Sequence, residues 1–82
     1  MSALPSLRQL SYLVRLAEKL SFTQAAEASF VPQSTLSGGI QELERLLGVQ
    51  RVERDRQRVR MTPIGEAVVE RARVLLSMAA DL

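Results

Sequence analysis

Apolar residues recur at helical spacing in most of this chain and alternate in one short stretch near its middle. Leu7, Leu10, Leu13, Val14 and Ala17 follow one another at steps of three, three, one and three, which predicts an amphipathic helix that starts after Pro5 and Ser6 and runs to about Lys19. Its leucines are expected to cover a core, with Tyr12 as a half-buried packing residue. Ser21 and Gln24 have the spacing of a capping box and predict a second helix from about Phe22 to Ser29. Ala25, Ala26 and Ala28 would let a neighbouring helix approach it closely, and Phe22 and Phe30 at its two ends are expected to anchor in the core. Pro32 cannot continue that helix and biases Val31 toward an extended conformation, so Phe30 to Pro32 reads as a turn.

A third helix is expected from about Gln33 to Leu47, ended by Gly48 in the C′ position. Its first half is polar and small, whereas Ile40, Leu43, Leu46 and Leu47 are apolar at helical spacing. Gly38 and Gly39 lie in its interior, where each costs about 1 kcal/mol relative to Ala. Either they admit DNA or a partner to close backbone approach, or the helix is locally loose.

Beyond Gly48 the period changes. Val49 to Arg54 and Arg58 to Met61 read as two extended pieces around a polar turn at Asp55, Arg56 and Gln57, with arginines on one side of the second piece and Val59 and Met61 on the other. Thr62 followed by Pro63 is a strong helix start, with Glu66 near its positive end. In the helix expected from there to Leu82, Ile64, Val68, Ala72, Leu75, Ala79 and Leu82 are spaced four, four, three, four and three. That spacing is close to a heptad seam and predicts pairing with a second copy of the chain, with Val69 and Leu76 widening the stripe. The fold expected is mainly α: a winged helix-turn-helix of three helices and a short β-hairpin over residues 1–61, then a long linker or dimerisation helix over 62–82.

Composition narrows the chemistry. At 82 residues the chain holds one domain at most, and with 46% hydrophobic but only 4% aromatic residues its core must be aliphatic. It contains no cysteine and no histidine, which removes disulfides, thiolate chemistry, imidazole bases and the usual zinc sites. Neither a cofactor nor a metal is expected. An enzyme would need a carboxylate pair in a pocket, and the acidic residues are scattered over helix surfaces. No apolar run approaches the length of a membrane span and no signal-like segment opens the chain, so a cytoplasmic protein is expected.

The net charge of +2 says little, but its distribution says more. Arg51, Arg54, Arg56, Arg58 and Arg60 crowd ten positions, opposed only by Glu53 and Asp55. Guanidinium groups match phosphate in bidentate fashion, so Arg54, Arg56 and Arg58 are candidate DNA-phosphate ligands, joined by Thr23 from the second helix. Gln33, Thr35 and Ser37 are the first candidates for base contacts in a major groove, with Ser34 and Gln41 secondary. A protein-interaction or dimerisation module that uses the same fold without DNA is the alternative; it has no need of clustered arginines beside a polar half-helix.

A family resemblance rests on many of these residues in order. Phe22 to Glu27, Val31 to Ser37, Ile40 to Glu44, Leu47 to Val49, Glu53-Arg54 and Thr62 to Glu66 resemble the N-terminal DNA-binding domain of LysR-type bacterial transcriptional regulators. Within that family, Tyr12 to Val14 and Thr35 to Gly38 look most like the peroxide-responsive members. The resemblance implies a homodimer paired through the last helix on an imperfect palindrome of double-stranded DNA, a higher oligomer in the full-length protein, and a C-terminal effector-binding domain absent from this sequence. The chain makes three departures from the family pattern. Pro32-Gln33-Ser34 stands where Ser-Gln-Pro is usual, so the serine cap is lost; Gly39 stands where a polar, DNA-facing side chain is frequent; and Arg51 replaces an apolar residue.

Overall fold

Ser6 caps the first helix, α1 (Leu7–Lys19), with its hydroxyl accepting from the Gln9 N–H while the Gln9 side chain accepts from the Ser6 N–H. In the computed structural model, which describes residues 4–48, 52–54 and 59–82, there follow α2 (Phe22–Ser29), α3 (Gln33–Leu47), the strands β1 (Val52–Arg54) and β2 (Val59–Met61), and α4 (Pro63–Ala80). The strands pair antiparallel with Val52 opposite Met61 and Arg54 opposite Val59. A three-helix unit, a hairpin and a final helix are thus the elements that the hydrophobic pattern predicts. Of the expected hairpin, residues 49–51 and the turn with Arg56 and Arg58 lie outside the described residues.

The core forms around α1, which packs against α2, α3 and α4. A helix contacted on three sides buries more of its circumference than one stripe. Accordingly Tyr12 and Leu16 are buried beside Leu10, Leu13 and Val14, so Tyr12 is a core residue and not half-buried. Leu7, in the first turn, stays 49% exposed and leaves the expected stripe. Leu13, Leu16, Leu36, Ile40 and Leu43 are the largest side chains removed fully from water, each worth about 1.5–3 kcal/mol in transfer terms.

α2 fits between its neighbours because Ala25 and Ala26 are buried and short. Ser21 caps it by accepting from the Gln24 N–H. At its other end Phe30 takes a left-handed conformation, φ 58°, while its N–H closes onto the carbonyls of Ala26 and Glu27. That turn throws the ring into solvent. Phe30 is 94% exposed, so it does not anchor the core as expected; the half-buried Val31, packed against the core cluster, takes that place. Phe22 does pack against the cluster.

α3 begins at Pro32 without a side-chain cap, as the replacement of the usual serine predicts, and ends at Gly48 with φ 74°. α4 begins at Thr62, whose hydroxyl accepts from the Gly65 N–H at 3.0 Å. Its inner stripe is Gly65, Val69, Ala72 and Leu76, at helical steps of four, three and four. This shifts the expected seam. Ala72 is fully buried within the chain and Val68 packs against the same core, so both serve the domain itself. Ile64, Leu75 and Leu82 of the seam remain exposed, together with Val74 and Met78, and Ala79 is half-buried. Among the described residues no helix is long and apolar enough to cross a membrane.

Candidate nucleic-acid interface

The two faces of α3 are chemically opposite. Leu36, Ile40 and Leu43 lie fully buried on the core side. Ser34, Gly38, Gln41 and Arg45 fall at steps of four, three and four on the other side, and all are exposed. The sequence thus builds an outward ridge of hydroxyl, open backbone, amide and guanidinium, short at the N-terminal end and long at the C-terminal end. Such groups can bond base edges or phosphates without bulk that would hold the helix out of a groove.

Gln33 and Thr35 flank this ridge in the first turn and are exposed, whereas Ser37 is half-buried. The secondary candidates Ser34 and Gln41 therefore share the outermost line, and Ser37 is set back toward the body. Gln33 is not loose. The Thr23 hydroxyl, from the first turn of α2, donates to its Oε1 at 3.1 Å, so the two helices of the helix-turn-helix are joined by side chains at their exposed N-terminal ends.

Arg45 was no sequence candidate, yet it closes the ridge. Its Nε donates to Glu42 Oε2 at 2.9 Å and its Nη2 to Glu42 Oε1, a fork on one carboxylate. The arginine holds the Glu42 carboxyl below the usual carboxylate range. The signal for Arg45 was its place in the 34, 38, 41, 45 series, which the apolar pattern of the opposite face conceals.

Gly39 does not face outward. A Cβ there would come within 2.7 Å of Tyr12 Cδ2 and 2.9 Å of Cε2, so the glycine lets the buried ring lie against α3. At Gly38 nothing lies within 4 Å of an added Cβ. In the hairpin, Arg60 is exposed between the half-buried Val59 and Met61, matching the predicted alternation for that strand. Arg54 is placed on β1 as backbone; Arg56 and Arg58 lie outside the described residues, as does Arg51.

Residues 7–66 match the bacterial regulatory helix-turn-helix proteins of the lysR family. This chain belongs to the lysR family. It is 74% identical over 82 residues to the HTH-type transcriptional regulator EstR of Acinetobacter baylyi, covering 100% of this chain and 27% of that protein. To the DNA-binding transcriptional dual regulator OxyR of Escherichia coli it is 45% identical over 71 residues, 87% of this chain and 23% of that one. Among solved structures, a complex of the BenM DNA-binding domain with catB site 1 DNA superposes with a TM-score of 0.88 at 41% identity, over 93% of this chain and 84% of that one. The likeness to peroxide regulators is thus real, and the identity to EstR is higher. The chain spans about a quarter of the length of the curated lysR relatives it matches.

Proposed function

We propose that this chain is the DNA-reading unit of a LysR-type transcription regulator and binds double-stranded DNA sequence-specifically as a homodimer. Residues 1–61 serve as the winged helix-turn-helix and 62–82 as the linker helix. The α3 ridge enters the major groove, where Gln33, Ser34, Thr35, Ser37 and Gln41 lie close enough to the base edges to read them. Arg54, Arg56 and Arg58 of the wing hold phosphates. Two copies join through the exposed Ile64, Leu75 and Leu82 line of α4 with Ala79 and Met78 beside it, which sets the reading helices about 34 Å apart on an imperfect palindrome. The work is binding, not catalysis, and a regulator acting on bacterial DNA operates in the cytoplasm.

The observation that carries this reading is the polar, exposed ridge on a helix whose other face is locked into the core. The same architecture at 41% identity in a protein crystallised on DNA supports it. Selection of bound sites from random duplex DNA by the 82-residue chain tests it. A recurrent two-fold motif is the expected result; recovery of no enriched sequence overturns it in favour of an interaction module. Gln33→Ala should then reduce discrimination between enriched and random DNA, whereas Arg56→Ala should weaken both alike and lower the salt slope by about 1.

A further inference from the structure

We infer that Thr23 is a positioning residue that sets the amide of Gln33 for base reading. The inference rests on the DNA-binding role proposed above and adds to it how one contact is prepared. A glutamine on a helix surface has three freely turning torsions, and its amide presents a donor end and an acceptor end that an unrestrained side chain exchanges. Here the Thr23 hydroxyl donates to Gln33 Oε1 at 3.1 Å, so the acceptor end is tied back to α2 and the Nε2 donors are turned away from it. Both residues are exposed, so no core packing explains the bond.

Thr23 is in turn fixed by its place. It sits in the first turn of a helix capped by Ser21 and held through the buried Ala25 and Ala26. A β-branched side chain there has few rotamers, which makes it a stiff post for its neighbour. Gln33 reaches the DNA already ordered, so association sacrifices less torsional freedom and a misfit base cannot be met by flipping the amide. The hydroxyl has one proton, and in this arrangement it is directed at Gln33. The phosphate contact expected of Thr23 from sequence would require that proton, so the two roles compete.

Thr23→Val keeps the shape and removes the hydroxyl; Thr23→Ser keeps the hydroxyl. Each is measured by salt-titrated binding of the 82-residue chain to the duplex enriched from a random library and to unselected duplex, with thermal melting as the control for folding. Gln33→Ala should lower the ratio of the two affinities about tenfold. Thr23→Val should lower it about threefold to tenfold with an unchanged salt slope, Thr23→Ser should restore it, and Thr23→Val added to Gln33→Ala should cause no further loss. If Gln33→Ala reduces discrimination and Thr23→Val does not, the positioning role falls and the base reading stands. If Thr23→Val weakens both duplexes equally and flattens the salt dependence, Thr23 is a phosphate ligand and the inference is overturned. If Gln33→Ala leaves discrimination intact, the base reading falls and the positioning role falls with it.

Discussion

Gly38 and Gly39 are neighbours in the middle of α3, yet they belong to different regions of the molecule. At Gly39 an added Cβ would strike the Tyr12 ring at 2.7 Å; at Gly38 it would meet nothing within 4 Å. Neither has the positive φ that would demand glycine. Both carry the same penalty of about 1 kcal/mol in a helix interior. For Gly39 the inner face offsets it, because a buried aromatic ring lies where a side chain would be. For Gly38 no packing partner offsets it, and the residue stands on the outer face, where the chain is proposed to meet DNA. A residue that weakens the helix and packs nothing is informative there in a way that the same residue one position later is not.

The inner face is broken most severely at its centre. Ile40 is fully buried, and Ile40→Ala should cost about 3 kcal/mol from lost transfer energy and the cavity left behind. For a domain of this size the melting temperature should fall by roughly 15 °C. A fall of a few degrees in thermal melting would mean that α3 is not locked to the core.

Gly39→Ala comes next. The buried Tyr12 ring cannot swing aside freely, so overpacking of about 1–3 kcal/mol exceeds the helical gain of about 1 kcal/mol. The net loss expected is about 1 kcal/mol, measured by denaturant unfolding. In a Tyr12→Leu background it should shrink or reverse, because the clashing atoms are gone. Additive losses would show that the ring is not what requires the glycine.

Gly38→Ala should act in the opposite sense. With open space around the new methyl group, the helix gains about 0.5–1 kcal/mol, seen as a higher melting temperature. Affinity for selected DNA should fall, since the methyl group stands on the ridge that enters the groove. A variant that is more stable and binds equally well would remove Gly38 from the interface.

The contrast between the two glycines also marks what the chain discloses before it is folded. Helix ends were legible because local chemistry sets them: the Thr62 cap, Pro63, Gly48 and the missing cap at Pro32 act within a turn of where they stand. The apolar stripe of α1 was legible, but its width was not, since three neighbours wrap it and bury Tyr12 and Leu16 as well. Phe30 was misplaced because hydrophobicity says nothing of a left-handed turn that directs the ring outward. For α4, periodicity found an apolar face and could not divide it between the chain's own core and a partner; Ala72 fell to the core. The polar half of α3 could be read as a candidate site, whereas the tie from Thr23 to Gln33 depends on two segments ten residues apart and has no periodic signature.

The smallest effect concerns the join between the reading unit and α4. Glu18, at the end of α1, accepts from Arg15 Nη1 at 3.0 Å and from Arg73 Nη1 of α4 at 3.1 Å. The Arg15 hydrogen bond foremost holds its carboxyl below the usual carboxylate range; burial opposes it, and the weaker Arg73 hydrogen bond and the two guanidinium charges add to the lowering. A carboxyl lowered on folding stabilises the protein at pH values above its unfolded pKa, and that contribution disappears as pH falls through the lower, folded value. The side chains of Glu18 and Arg73 are 35% and 50% exposed, so screening by water limits the bridge to about 0.5 kcal/mol at most. Glu18→Gln should therefore lower the melting temperature by roughly 2–4 °C at neutral pH. The difference from the unmodified chain should close as the pH is taken below the carboxylate range, and also in high salt. A difference that persists unchanged in acid would assign the loss to packing of the Glu18 stem and not to its charge. α4 would then be held to the reading unit by apolar contacts, among them those of Val68, Val69, Ala72 and Leu76.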